Sequence, residues 1–198
     1  MRILLIGGSK SGKSTAAQHL CRTLAAGGPL YYWATMTPRD DEDRARVLRH
    51  IADRDGWGFE TIERSTGLTA ALPEIDRRGA VLLDSVTAAL SEAMFGPEIY
   101  ADAAAAVTAE LLAVSRYPAH FVCVCDDLWR GGEDYQDWTE VYVRGLAQVC
   151  RALAAEFDVV CDMAAGLPHV WKGAWPLRRT GSTAFSWRGA CFWRCPAR

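Results

Sequence analysis

The sequence of 198 residues predicts one α/β domain, in which a mainly parallel β-sheet is flanked by helices. One reason is that short apolar runs alternate along the chain with longer segments of helical pattern. Another is a glycine-rich loop that joins the first apolar run to the first helical segment. In addition, several apolar runs end in a small or acidic residue, and the carboxyl ends of parallel strands are where such folds bind ligands.

The glycine-rich loop has the context that its motif requires. Residues 7–14 read GGSKSGKS, which matches G-x-x-x-x-G-K-[ST]. The apolar run Ile3–Ile6 before it predicts a buried strand, and the run Thr15–Ala26 after it predicts a helix. Because strand, loop and helix agree, the sequence predicts a P-loop NTPase-like domain that binds a nucleotide.

The chemistry of phosphate binding explains the spacing within the loop. Gly7 and Gly12 let the backbone wrap closely around a phosphate chain, where a Cβ would clash. Lys13 places a charge at the β- and γ-phosphates, and Ser14 offers a hydroxyl to Mg²⁺. Of 22 basic residues only three are lysines, and two of these lie in the loop. The predicted nucleotide-binding residues of the loop are Gly7, Gly8, Ser9, Lys10, Ser11, Gly12, Lys13 and Ser14.

The next elements also carry recognisable boundaries. Gly27-Gly28-Pro29 ends the first helix, and the aromatic run Leu30–Thr35 predicts a second buried strand. A helix is predicted over Arg39–Asp53, because carboxylates cluster at its start, where they suit the helix dipole. Asp55-Gly56 predicts a turn before a short strand at Trp57–Glu63.

The second half of the chain continues the alternation. Strands are predicted at Ala80–Asp84, Phe121–Cys125 and, as the final strand, Val159–Met163, and helices at Leu68–Ile75, Ser85–Phe95, Tyr100–Val114 and Thr139–Glu156. Asp84 ends its strand in the form of a Walker B carboxylate, which would hold Mg²⁺ near Ser14. Asp126 follows the next strand, and the glycine-containing, charged segment Leu128–Asp137 predicts a functional loop.

Composition excludes several classes of function. A net charge of −2 argues against general nucleic-acid binding, and no apolar run reaches membrane-spanning length. The N-terminus predicts a strand rather than a signal peptide, so we expect a cytoplasmic protein. None of the seven cysteines forms a C-x-x-C pair, which argues against zinc or redox chemistry.

The C-terminal segment differs from the rest. From Trp171 onward there are six basic residues, no acidic ones and four tryptophans, without a helix or strand period. We therefore expect a nucleotide-binding and transferase domain over residues 1–173 and a tail over 174–198. A disordered or loosely docked extension, a contact for an acidic partner and an aberrant C-terminus are all compatible with this composition.

Taken together, the segments resemble a known family. GGSKSGKS at 7–14, YYWATM at 31–36, DDEDRARVLRH at 40–50, a Glu at 63 and VLLDSVT at 81–87 follow one another in this order. They are similar to the bifunctional adenosylcobinamide kinase/adenosylcobinamide-phosphate guanylyltransferases of cobalamin biosynthesis. The resemblance covers roughly residues 1–173, and its most specific part is the D-D-E-x-x-x-R-x-x-x-H block.

The resemblance implies a mechanism and a set of contacts. It implies that His50 attacks the α-phosphate of GTP and carries GMP, and that Lys13 serves the kinase step. Beyond the loop, it implies nucleotide contacts from Ala34, Thr35, Met36, Ile51, Ala52, Asp53, Arg54, Glu63 and Asp84. It also implies Mg²⁺, GTP or ATP as phosphoryl donor, a corrinoid substrate, and a homotrimer with its active site near the subunit contacts.

The residues themselves give weaker support for His50 as the nucleophile. A neutral imidazole is a competent nucleophile near pH 7, and Arg46, Arg49 and Arg54 lie close enough in sequence to stabilise phosphate charge. The alternative is a surface histidine on a charged helix. The [NT]-K-x-D segment by which small GTPases read guanine is absent from the sequence. The remaining histidines, for which we expect structural or exposed positions, are His19, His120 and His169.

One segment departs from the family pattern. Where typical members carry T-N-E-V-G, residues 125–132 read CDDLWRGG, so Asp127 stands in the place of the Glu and the Asn has no counterpart. This loop would lie beside the substrate. Two alternatives stay open: a P-loop kinase of the same fold that acts on another small alcohol without guanylyl transfer, and a nucleotide-binding regulatory protein.

Overall fold

The computed structural model describes residues 1–97, 102–130 and 137–177. Its strands are β1 (Arg2–Gly7), β2 (Leu30–Ala34), β3 (Phe59–Glu63), β4 (Ala80–Asp84), β5 (His120–Asp126), β6 (Val159–Ala164) and β7 (Leu167–Lys172). Its helices are α1 (Lys13–Ala25), α2 (Asp41–Asp53), α3 (Val86–Phe95), α4 (Ala103–Ser115) and α5 (Asp137–Glu156), with 3-10 turns at Leu68–Glu74 and Leu128–Arg130.

The seven strands form one sheet in the order β3-β2-β4-β5-β1-β6-β7. Every pairing among the first six strands is parallel, and only β7 runs antiparallel, against β6. This confirms the predicted mainly parallel α/β fold. The strand that leads into the glycine-rich loop lies inside the sheet, between β5 and β6.

Apolar side chains alternate between the two faces of the sheet, as a strand's period of two requires. In β1, Ile3 and Leu5 join a core cluster that includes Leu20 of α1, whereas Leu4 joins the cluster formed with α3, α4 and α5. Both faces are therefore covered by helices, which is how parallel sheets are normally buried.

The helix N-termini differ in a way that matters for binding. Asp40, Ser85 and Asp102 cap α2, α3 and α4, each by accepting a backbone N–H with its side chain. By contrast, α1 begins after Gly12, whose φ is 91° and which has no side chain to cap the helix. The first amides of α1 are thus left for another acceptor, as in phosphate-binding loops.

The end of the chain corrects two expectations. The sequence predicts Val159–Met163 as the final strand and shows no strand period from Trp171, yet Leu167–Lys172 forms β7. Ala165 (φ 50°) and Gly166 (φ 77°) make the two-residue turn, whose left-handed conformations suit a tight hairpin. Residues 178–198 of the expected tail and 131–136 of the expected loop lie outside the described residues.

Within the described residues, no helix combines the length and the apolarity that crossing a bilayer would require.

Candidate active site

Parallel pairing brings the predicted site residues to one edge of the sheet. Ala34 is in register with both Asp84 and Glu63, and Gly7 is in register with Asp126. The carboxyl ends of β3, β2, β4, β5 and β1 therefore lie side by side. Helix α2, which carries His50, connects the carboxyl end of β2 to the start of β3.

The glycine-rich loop is closely packed against its neighbours. A Cβ on Gly7 would lie 2.6 Å from the carbonyl oxygen of Met163 and 2.8 Å from the Ser11 hydroxyl, so only glycine fits there. Lys10 (φ 58°) and Gly12 (φ 91°) both adopt left-handed conformations. Ser11 Oγ is buried and has no hydrogen-bond partner among the described residues. The packing of β6 thus fixes the curvature of the loop.

Lys13 is nearly buried, and its ammonium has two protein partners. It donates to the carbonyl oxygen of Gly8 at 3.1 Å and pairs with a carboxylate oxygen of Asp126 at 2.6 Å. The backbone N–H of Asp126 donates to the Thr87 hydroxyl at 2.9 Å, which fixes the end of β5. The sequence placed Asp126 at a strand end but not among the nucleotide-binding residues.

Asp84 lies between a tyrosine and the candidate nucleophile. The Tyr32 hydroxyl donates to Oδ2 of Asp84 at 2.8 Å, and Nδ1 of His50 lies 3.9 Å from the same oxygen. Burial, reinforced by the Asp84 charge and its hydrogen bond, raises the pKa of the Tyr32 phenol well above its ordinary value. Tyr32 therefore stays a hydrogen-bond donor across the neutral pH range.

Helix α2 contacts the rest of the protein through polar groups near its two ends, and none of its residues is buried. Before its start, the Arg39 guanidinium pairs with the buried Glu92 at 3.1 Å and donates to the carbonyl oxygen of Phe95 at 3.3 Å. Just after its last residue, the Arg54 guanidinium lies 4.1 Å from the centre of the Tyr32 ring, a cation–π geometry. These contacts position His50 at the sheet edge.

A cavity of about 300 Å³ opens between α2, α3 and the sheet edge. Its lining includes six residues of the predicted site: Ala34, Met36, His50, Arg54, Glu63 and Asp84. The sequence missed further lining residues: Tyr32, Arg39, Asp43, Ser85, Thr87, Ser91, Glu92, Asp126 and Tyr142. Asp126 belongs both to this lining and to the Lys13 ion pair, so it joins the cavity to the glycine-rich loop.

Some residues implied by the resemblance lie outside the cavity lining. Ile51, Ala52 and Asp53 are exposed on the last turn of α2. Thr35 is fully buried, where its hydroxyl donates to the carbonyl oxygen of Ser85 at 2.7 Å and accepts the N–H of the same residue. Its role in this structure is to join the ends of β2 and β4. The nucleotide contacts of Ile51, Ala52, Asp53 and Thr35 stay predictions.

The donor set of this edge suits Mg²⁺. This ion takes oxygen ligands and commonly combines one or two carboxylates with substrate phosphates. Both described contacts of the Asp84 carboxylate fall on Oδ2, so Oδ1 is the oxygen available to a cation. Ser14 would add a hydroxyl from the first turn of α1. In the described part of the chain, no three or more His, Cys, Asp or Glu side chains come together in a group that could hold a metal ion.

The other histidines lie outside the cavity lining. His19 packs edge-on against Trp57, His169 packs against Trp171, and His120 lies beside the N-terminal amine. Burial lowers the pKa of His19 and of His120. The described cysteines are buried thiols.

The chain matches a known protein family and is similar to individual proteins of known sequence or structure. The family model described as cobinamide kinase / cobinamide phosphate guanyltransferase matches residues 3–170. A relative from Pseudomonas aeruginosa, the bifunctional adenosylcobalamin biosynthesis protein CobP, is 27% identical over 176 residues, covering 87% of this chain and 98% of the relative. Among solved structures, flagellar accessory protein FlaH from Methanocaldococcus jannaschii aligns with a TM-score of 0.48 and 13% identity, over 87% of this chain and 78% of that one.

Proposed function

The chain belongs to the cobinamide kinase / cobinamide phosphate guanyltransferase family, and from this we propose that it phosphorylates adenosylcobinamide and then transfers GMP to the product. The observation that carries the proposal is the placement of two reactive elements at one sheet edge. The glycine-rich loop with Lys13 meets the cavity through Asp126, and His50 lines the same cavity beside Asp84.

In the kinase step, the loop amides and Lys13 hold the transferred γ-phosphoryl group while the alcohol of the corrinoid attacks it. The bond from the γ-phosphorus to the nucleoside diphosphate breaks as the new bond forms, and the proton of the alcohol passes to solvent. The protein acts mainly by positioning and by stabilising charge. When bound between Ser14 and Asp84, Mg²⁺ would neutralise phosphate charge. GTP or ATP serves as the donor. Arg46 and Arg54 line the cavity and supply further positive charge.

In the guanylyl step, the geometry favours Nε2 of His50 as the nucleophile. Nδ1 is the nitrogen near the Asp84 carboxylate, and an N–H on Nδ1 leaves the lone pair on Nε2. Nε2 then forms a bond to the α-phosphorus of GTP as the bond to the leaving pyrophosphate breaks. The phosphate of adenosylcobinamide phosphate next attacks the same phosphorus, which releases His50 and gives adenosylcobinamide-GDP.

The test is covalent labelling of the whole chain by GTP carrying ³²P at the α-phosphate, in the presence of Mg²⁺. We expect a labelled band that is stable to alkali, labile to acid and absent from His50→Ala. His169→Ala is the matched control, because this histidine packs on Trp171 at the far strand β7. Without acceptor, labelled pyrophosphate should exchange into GTP.

The same experiment addresses the two alternatives. An unlabelled protein that still phosphorylates a small alcohol would be a P-loop kinase without guanylyl transfer. An unlabelled protein that binds nucleotide without turning it over would be a regulatory protein. Either result contradicts the bifunctional proposal.

A further inference from the structure

The contact between Lys13 and Asp126 involves the cation on which phosphate binding depends. The two charged atoms lie 2.6 Å apart, and the side chains are only 10% and 21% exposed. A contact this short between opposite charges is a charge-assisted hydrogen bond, which is stronger than a neutral one. Low exposure also protects the pair from screening by salt.

The fold holds Asp126 in place. It is the last residue of β5, in register with Gly7 at the start of the loop. Its N–H donates to the Thr87 hydroxyl at 2.9 Å, and the carbonyl oxygen of Thr87 accepts the Tyr142 hydroxyl at 2.8 Å. The carboxylate therefore lies at a strand end that hydrogen bonds hold beside the loop, rather than on a long, flexible surface side chain.

The neighbouring carboxylates have a different counter-ion. The Arg130 guanidinium lies 2.5 Å from Asp162 and 3.6 Å from Asp127. Their negative charges are thus offset by a cation outside the glycine-rich loop. Asp126, by contrast, uses Lys13, whose ammonium the phosphates of a bound nucleotide also require.

We propose that Asp126 competes with the nucleotide's phosphates for Lys13 and so makes the site select the magnesium complex of a nucleotide over the free polyphosphate. The inference rests on the nucleotide binding proposed above. When the Lys13 ammonium pairs with the phosphates instead, the Asp126 carboxylate is left without a counter-ion next to the polyanionic nucleotide. A divalent cation on the phosphates reduces that repulsion, whereas a magnesium-free nucleotide meets it in full.

The test is equilibrium binding of a fluorescent GTP analogue to the full chain, once with Mg²⁺ and once with EDTA. Asp126→Asn should tighten magnesium-free binding by about tenfold, the size expected for a charge-assisted contact. Binding of the magnesium complex should change less, so the preference for it falls. Asp126→Glu, which keeps the charge, should retain the wild-type preference for the magnesium complex.

Glu156→Gln is the matched control, because it also removes one negative charge. Glu156 pairs with Arg116 at 3.2 Å, at the end of α5 and away from the cavity lining. This variant should keep the wild-type preference. If Asp126→Asn does not fold, Asp126→Ser removes the same charge with a smaller side chain.

Three results would overturn the inference: a wild-type protein that binds both nucleotide forms equally, an unchanged preference in Asp126→Asn, or weaker binding of the magnesium complex in that variant. The first needs no variant at all. The proposed function fails separately, since absent His50 labelling with intact nucleotide binding removes guanylyl transfer and leaves the competition at Lys13 standing.

Discussion

Helices α1 and α2 have the same length, 13 residues, but opposite relations to the core. Helix α1 buries Leu20, Cys21 and two alanines against the sheet, together with Lys13 at its start. Helix α2 buries none of its residues. The phosphate-binding loop is therefore fixed by the same packing that stabilises the fold, whereas His50 depends on the contacts at the ends of α2.

This difference separates the two proposed activities physically. A helix with no buried face gains little from tertiary packing, and most helical stability in proteins comes from such packing. Helix α2 instead has an N-cap at Asp40, acidic residues in its first turn and the polar contacts of Arg39 and Arg54. Changes in the core should affect both steps, and changes in these contacts chiefly the step that uses His50.

The largest effect is expected at the loop. Gly7→Ala would place a Cβ 2.6 Å from the carbonyl oxygen of Met163, so the free energy of unfolding should fall by about 2–3 kcal/mol. Nucleotide binding should be lost as well. Urea unfolding measures the first effect. Gly8→Ala is the stability control, because its Cβ would meet its nearest neighbour at an ordinary 3.6 Å. Equal losses in both variants would contradict a loop fixed by close packing.

The next effect concerns the contact before α2. Arg39→Ala removes the partner of Glu92, whose side chain is 8% exposed, and frees the start of the helix. We expect His50 labelling to slow by about tenfold, consistent with the loss of a hydrogen bond to a charged group. Although Arg39 lines the cavity, nucleotide affinity should fall by less than the labelling rate, because the glycine-rich loop rather than α2 holds the phosphates. Single-turnover labelling and equilibrium binding measure the two quantities.

The control for Arg39 is Arg44→Ala on the same helix. Arg44 pairs with the fully exposed Asp41, so its loss should leave labelling unchanged. Parallel losses of labelling and nucleotide affinity in Arg39→Ala would mean that the unpaired Glu92 disturbs the cavity as a whole, which would contradict a separate role for α2.

The glycine-rich loop and helix α2 also differ in how far their contacts could be predicted from the sequence. The glycine-rich loop and its strand and helix are local in sequence, and each step of the motif has a steric or electrostatic reason. The contacts of α2 and of Asp84 are distant: Arg39 and Glu92 are 53 residues apart, and Tyr32 and Asp84 are 52 apart. Only the strand order brings such pairs together, and no periodicity in the sequence encodes that order.

Two further misses have physical reasons of their own. Asp126 follows an apolar strand, which predicts a position at the carboxyl ends of the strands. Its pairing with Lys13, however, depends on β5 lying beside β1. Strand β7 lies at the sheet edge and is largely exposed, so it lacks the apolar run by which the buried strands were recognised. The tight turn at Ala165-Gly166 was the available signal.

A smaller effect is expected where the two regions meet. Tyr32→Phe removes the hydroxyl that donates to Asp84 but keeps the ring beneath Arg54. We expect both the kinase rate and His50 labelling to fall by about fivefold, corresponding to one hydrogen bond of roughly 1 kcal/mol. Because burial raises the pKa of this phenol, the effect should be constant from pH 6 to 9, which rate measurements across that range would check.

The neighbouring residue supplies the control for Tyr32. Tyr31 lies on the same strand, and its hydroxyl accepts the N–H of Asp76, away from the cavity lining. Tyr31→Phe should therefore lower stability slightly without changing either rate. A rate loss in Tyr31→Phe equal to that in Tyr32→Phe would mean that strand packing, rather than the bond to Asp84, is responsible.

The smallest effect is expected on the outer surface of α2. Leu48 is 65% exposed, so Leu48→Gln should change the free energy of unfolding by less than about 0.5 kcal/mol. Leu20→Ala, from the buried face of α1, should cost about 2–5 kcal/mol by comparison. Urea unfolding at several protein concentrations checks both. If Leu48→Gln costs more than about 1 kcal/mol and the loss grows with protein concentration, α2 is covered by a second copy of the chain, and its independence from packing is a property of the single subunit only.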